Sequence, residues 1–350
     1  MDFNGDAMRS MKQNSSSAPN SVVVNSAAVN AEPVNAEAVK SPLRVRGRIG
    51  RLLKRIVLVL LTLYVVVIIQ LMIAENALVY PAPEYPVGNW NQSLVAVEDV
   101  EFKSLDGTPL HGWFVACPDA RATILYFHGN GENVGQQAHL LKELRDRFQV
   151  NVFAFDYRGY GKSAGSPTEQ GIQLDARAAL VWLNERTGTQ PAEILFFGRS
   201  IGAAIAIELA ADKGCKGLVL QSAFSSLPDA TAVHYPWAPV AWLMRNRYPS
   251  QELIGNCRQP VLQTHGTADR IIPLACGQKL FNAVISKHKR FVALPGAGHN
   301  GYPSTEFWIA LSEFLDVIAP ANPVAAPLHE SAGADDDSES NNPAWKRVHQ

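Results

Sequence analysis

Five residues, Gly198-Arg199-Ser200-Ile201-Gly202, carry the strongest chemical signal in the chain: a G-x-S-x-G turn between the apolar run Ile194-Leu195-Phe196-Phe197 and an alanine-rich stretch. A serine hydroxyl that ends a strand becomes a usable nucleophile when a sharp, strained turn thrusts it out, and flanking glycines leave room for the backbone to approach its neighbours. Ala203, Ala204 and Ala206 would keep the following helix close to the sheet. The N-terminus of that helix would aim its amides at charge developing on a substrate, with the Ile201 N–H as one oxyanion donor.

A serine needs a base, and the base needs an acid. Val261 to Asp269 (V-L-Q-T-H-G-T-A-D) puts a carboxylate just past an apolar run, and Phe291 to His299 (F-V-A-L-P-G-A-G-H) puts an imidazole just past the next. The order Ser200, Asp269, His299 is the one expected when a nucleophile elbow lies between strand and helix. His299 would take the hydroxyl proton, and Asp269 would hold its tautomer and stabilise the imidazolium. His265 and His128 are the rival bases.

A second oxyanion donor is expected in Tyr126-Phe127-His128-Gly129-Asn130-Gly131-Glu132-Asn133, from Asn130 or Gly131. Gly129, Gly131 and Gly135 miss the dinucleotide-binding spacing by one residue, and Gly161-Lys162-Ser163 lacks the first glycine of a phosphate-binding loop because Asp156 stands there. Arg158 and Asp156 are ion-pair candidates in that second turn. Between Asp229 and Ser250, the aromatics and methionine suggest a lid or acyl-chain wall, with Trp237, Trp242 and Met244 as substrate-binding candidates.

These turns need a scaffold that gathers strand ends. Residues 95–102 and 110–115 flank an Asp106-Gly107 hairpin signal. Thereafter strands near 122–127, 151–155, 193–197, 217–221, 260–265 and 290–294 alternate with helices near 134–148, 169–186, 201–212, 274–286 and 305–318. That alternation predicts an α/β fold, a mostly parallel sheet with helices on both faces and a short lid, whose functional groups sit at the carboxyl ends of the strands.

The 350 residues suffice for one large core, and a net charge of −1 gives no sign of a nucleic-acid partner. The four cysteines have neither metal nor disulfide-scaffold spacing, and no metal or cofactor is expected. Residues 1–43 read as a disordered tail, 44–55 as a basic segment, 75–94 as a proline-stiffened linker, 95–319 as the catalytic domain with its lid at about 224–255, and 320–350 as a second disordered tail. Between the basic segment and the linker, Ile56 to Ala74 are nineteen uncharged residues. At about 1.5 Å per helical residue they extend roughly 28 Å, close to the hydrocarbon thickness of a bilayer. A cleaved signal would have a shorter apolar region nearer the start. Seven basic residues from Lys40 to Arg55 precede the span and no basic residue follows it until Lys103. The positive-inside rule then places the N-terminus in the cytoplasm and the catalytic domain on the other side.

F-H-G-N-G-E-N, D-Y-R-G-Y-G-K-S-A-G-S-P-T-E, G-R-S-I-G, H-G-T-A-D-R-I-I-P and G-A-G-H-N together resemble the membrane-anchored serine hydrolases of the α/β-hydrolase-domain group, over about Val95 to Ile318. This branch includes depalmitoylases and lysophospholipid or monoacylglycerol lipases. The resemblance implies Ser200 as nucleophile, Asp269 as acid, His299 as base and the Asn130 turn in the oxyanion hole. Depalmitoylating members carry an N-terminal cysteine cluster, whereas no cysteine here precedes Cys117. The expected activity is therefore cleavage of carboxylic or thio esters, including lipid acyl esters. A peptidase of the same fold and a non-catalytic binding module are the alternatives.

Overall fold

The computed structural model describes residues 42–91 and 96–320, so the expected tails lie almost wholly outside the described residues. Contacts divide the chain into two units, Met1–Thr62 and Leu63–Gln350. The first helix, α1 (Pro42–Val79), is longer at both ends than the apolar run. Arg, Leu, Lys and Glu are all good helix formers, and no proline interrupts them until Pro81, whose ring disfavours helical backbone in the residue before it. Side chains 56–67 are exposed. By length and composition this helix can cross a membrane.

Eight strands form one sheet: β1 (Glu98–Lys103), β2 (Pro109–Val115), β3 (Ala122–Phe127), β4 (Val150–Asp156), β5 (Ile194–Arg199), β6 (Gly217–Gln221), β7 (Val261–Gly266) and β8 (Lys289–Leu294). Their order is β1-β2-β4-β3-β5-β6-β7-β8. β2 pairs antiparallel with both its neighbours, and every pairing from β4 to β8 is parallel. The helices are α2 (Val134–Phe148), α3 (Glu169–Thr187), α4 (Ile201–Lys213), α5 (Leu227–His234), α6 (Val240–Leu243), α7 (Ser250–Ile254), α8 (Leu274–Asn282) and α9 (Thr305–Ile318).

Strand alternation distributes the apolar side chains to two faces. Ile194 and Phe196 of β5 join a core with α3, α4 and α8, while Leu195 and Phe197 join one with α2 and α9. Both faces are covered, so the central strands are apolar throughout. Caps fix where the helices begin. Asn133 and Gln136 make a reciprocal capping box on α2, Thr168 caps α3 and Ser304 caps α9.

Three expectations change. Arg158 does not pair with Asp156. Its guanidinium lies on Asp175 of α3 at 2.7 Å and on Asp106 at 2.8 Å. Asp156, at the end of β4, instead accepts from the Val134 amide at the start of α2 (2.8 Å) and lies 3.1 Å from His111 Nδ1. The expected linker is docked on the domain. Glu84 bridges to Gly161, Tyr80 is buried, and Trp90 fills the space over Gly135, where a Cβ would come within 2.7 Å of its ring. Finally, α8 stops at Asn282, four residues earlier than expected.

Candidate active site

β5 ends at Arg199, and the chain turns at Ser200 with φ 54° and ψ −121° before α4 begins. Positive φ is strained for a residue with a Cβ, and strain of this kind concentrates where a side chain must be presented. Close packing on either side holds the turn. A Cβ on Gly202 would lie 2.2 Å from the Phe127 carbonyl oxygen at the end of β3, and one on Gly198 would lie 2.4 Å from the Gly202 carbonyl oxygen. The Ser200 amide donates to Gln221 at the end of β6, which ties the turn to the neighbouring strand at 2.8 Å.

The loops after β7 and β8 bring the two partners to this point. Ser200 Oγ is 3.0 Å from His299 Nε2, and His299 Nδ1 is 2.7 Å from Asp269 Oδ2. The other Asp269 oxygen accepts from the Ile271 and Ile272 amides at 2.9 and 2.8 Å, which fixes the carboxylate. Burial pushes the Asp269 pKa up, but the hydrogen bond and charge of His299 and the Ile272 amide outweigh it and hold the group below the usual carboxylate range. With His299 Nδ1–H donating to that carboxylate, Nε2 is left to accept from the serine hydroxyl. The arrangement can deprotonate Ser200 as it attacks an electrophilic carbon.

The rival bases are engaged elsewhere. His265 Nε2 lies 2.8 Å from the Ile272 carbonyl oxygen, and His128 Nδ1 lies 2.9 Å from the Gly129 carbonyl oxygen. Burial lowers the pKa of both, so each is held as a neutral ring.

Around the serine, Ile201 is the first residue of α4, and first-turn amides have no intrahelical acceptor. Asn130 follows β3, with its side chain pinned between the Val79 carbonyl oxygen and the Tyr160 hydroxyl, and Gly131 turns with φ +73°. Of the expected substrate-binding residues, Trp237 and Met244 contact α1 and Trp242 faces the surface. Trp237 packs edge-on against Tyr64, and Met244 lies with Ile68, Leu71 and Met72 of α1. The Trp242 side chain is 90% exposed. These three turn toward α1 and the surface, because α6 is seated on that helix.

Two residues escaped the sequence reading. Arg199 Nη1 donates to Glu132 at 2.7 Å while Nη2 donates to the His299 carbonyl oxygen at 2.9 Å. Glu132 in turn accepts from the Gly129 amide at 2.8 Å. One guanidinium thus clamps the turn after β3 to the loop carrying His299. The only sequence signal was a charged residue inside the serine motif, beside a turn containing an acid.

Comparison with known proteins agrees with the fold. A family model described as "Serine aminopeptidase, S33" matches residues 118–257. An uncharacterized protein of Mycobacterium tuberculosis is 39% identical over 228 residues, covering 65% of this chain and 80% of that one. The alpha/beta hydrolase domain-containing protein WAV2 of Arabidopsis thaliana is 30% identical over 67% of this chain and 83% of its own length. The chain belongs to the α/β-hydrolase family. Protein bem46 of Schizosaccharomyces pombe is 30% identical over 71% and 89%. Among solved structures, the Pyrococcus furiosus esterase Pf2001 superposes with a TM-score of 0.56 at 21% identity, covering 68% of this chain and 99% of that one.

Proposed function

We propose that this α/β-hydrolase is a serine hydrolase anchored by α1, cleaving carboxylic or thio esters of acyl chains through a covalent acyl-enzyme. The observation that carries the reading is the continuous relay Ser200 Oγ, His299 Nε2, His299 Nδ1, Asp269 Oδ2, with spacings of 3.0 and 2.7 Å, at a serine of positive φ.

In this mechanism Ser200 Oγ attacks the ester carbonyl carbon as its proton passes to His299 Nε2. The Ile201 amide and the turn at Asn130 and Gly131 donate to the oxyanion, and each such donor is worth roughly two to three orders of magnitude in rate. The resulting imidazolium is stabilised by Asp269. It returns the proton to the leaving alkoxide or thiolate, which departs and leaves an acyl ester on Ser200. Water then enters, His299 takes its proton, and collapse of the second tetrahedral intermediate frees the acid and regenerates the serine. Orientation follows the basic residues before the span, with the N-terminus cytoplasmic and the site on the opposite side.

The family model's aminopeptidase description favours a second reading, peptide cleavage. An aminopeptidase needs a free acid to hold the substrate's amino terminus. Of the two acids in the lid, Asp229 is paired with Lys279 at 2.7 Å while Glu252 is exposed on α7, and Glu132 is paired with Arg199. Full-length protein assayed on p-nitrophenyl esters of increasing acyl length and on aminoacyl p-nitroanilides decides between them. Ester turnover that disappears in Ser200→Ala is expected; anilide turnover with esters untouched overturns the reading.

A further inference from the structure

α6 sits in a stretch unlike the rest of the domain surface. Residues 235–244, Tyr-Pro-Trp-Ala-Pro-Val-Ala-Trp-Leu-Met, contain no charged side chain, and Tyr235, Trp237 and Trp242 are 49, 51 and 90% exposed. An apolar patch rimmed by polar groups marks a surface with a partner.

The contacts of this loop identify the partner. Along α1 it meets Met72, Leu71, Ile68 and finally Tyr64, whose ring stands edge-on to Trp237 and whose hydroxyl donates to the Trp237 carbonyl oxygen at 3.2 Å. On both elements the apolar sequence ends at the same level. Glu75, the first acid after the apolar run of α1, accepts from the Arg245 and Asn246 amides at 2.8 Å each, and these are the first polar residues after the apolar loop. Asn246 Nδ2 also donates to Asn76 Oδ1 at 3.0 Å. From Glu75 back to Tyr64 is about 16 Å along the helix, roughly half the hydrocarbon thickness of a bilayer. If Ile56 to Ala74 cross a membrane, the loop lies beside them in the same leaflet.

We propose that residues 235–244 are immersed in the bilayer as a re-entrant apolar loop beside α1, and that the hydrolase draws its acyl ester from that leaflet. The site is close to this level. Val79, one helical turn beyond Glu75, accepts from the Asn130 side chain in the turn after β3, so an acyl chain lying along α1 has its carbonyl near the serine when its tail is still in lipid. The aromatic side chains of the loop suit the boundary between headgroups and hydrocarbon. The substrate half of this proposal rests on Ser200 as nucleophile and on α1 as the anchor; the placement of the loop rests on the anchor alone.

The test uses the full chain in phosphatidylcholine vesicles. Retention of the protein after an alkaline wash reports the anchor; its extraction overturns the whole proposal. With phosphatidylcholine brominated at mid-chain, wild-type tryptophan fluorescence should be quenched, and the bromine-dependent part should fall at least twofold in W237F/W242F. Equal quenching in both proteins, with the chain retained, places the loop in water or against another protein and overturns the immersion. Ala241 is exposed and its side chain carries no polar contact, so a charge there matters only if lipid surrounds it. Ala241→Asp, against Ala241→Ser, should lose tenfold or more on p-nitrophenyl palmitate held in the vesicles while keeping its rate on soluble p-nitrophenyl acetate. Equal palmitate rates in the two variants overturn delivery from the leaflet. Loss of acetate turnover in wild type as well overturns the nucleophile reading and the substrate half with it, while the quenching still decides the loop.

Discussion

Arg199, the residue before the candidate nucleophile, donates to the backbone carbonyl oxygen of His299 at 2.9 Å, one hundred positions further along the chain. The same guanidinium holds Glu132 at 2.7 Å, so the serine turn, the turn after β3 and the histidine loop are joined through one largely buried cation. Charge-assisted bonds of this kind are stronger than neutral ones and fix geometry as well as energy.

Arg199→Lys should therefore lower kcat on esters by about tenfold, because an ammonium cannot reproduce the two-armed fork. Arg199→Gln should cost more, since it also leaves the part-buried Glu132 carboxylate unpaired. Steady-state rates together with thermal melts check this. Unchanged kcat in a folded Arg199→Lys protein contradicts a positioning role.

Asp269→Asn keeps the size of the side chain but no longer dictates which His299 nitrogen carries the proton. By comparison with other serine triads, kcat should fall on the order of 10⁴-fold. Circular dichroism should show the fold retained, and ester hydrolysis should show the loss.

Gly202→Ala would set a Cβ 2.2 Å from a backbone oxygen of β3 that cannot swing away. Forced overpacking costs about 1–3 kcal/mol, and the clash here is with rigid backbone, so the variant should melt several degrees lower and lose activity together. A calorimetric scan would show whether both fall.

Glu208 on α4 has its pKa pushed up to about 7, chiefly by burial, with the charges of Glu169 and Asp212 adding and Arg177 opposing. The folded protein therefore binds this proton more tightly than the unfolded chain does. Stability carried by the neutral form is present below the unfolded value near 4.5 and is lost as pH rises toward 7. Glu208→Gln should raise Tm at pH 8 by a few degrees, and the difference from wild type should close by pH 5. Melts at the two pH values check the sign.

The serine, acid and histidine stood out in the sequence because Ser200 directly follows β5 while Asp269 and His299 lie three and five residues past the ends of β7 and β8. The layering was legible because the alternation of β and α segments has few topological solutions. The seating of α6 was not. Its aromatics signalled an apolar surface, but which way they turn depends on Glu75 meeting Asn246 and Tyr64 meeting Trp237, more than 160 positions apart. Likewise Asp156 lies two positions from Arg158 in sequence, yet α2 and His111 claim the carboxylate and α3 claims the guanidinium. Charge proximity along the chain cannot anticipate which helix packs on which side of a strand end.

The central claim is that Ser200 is the activated nucleophile, and labelling with a fluorophosphonate probe tests it most directly. Full-length protein should take up one phosphonyl group, mapped by mass spectrometry to the peptide carrying Ser200, with labelling abolished in Ser200→Ala and strongly slowed in His299→Ala. A folded wild-type protein that stays unlabelled, or that is labelled equally in Ser200→Ala, contradicts the account.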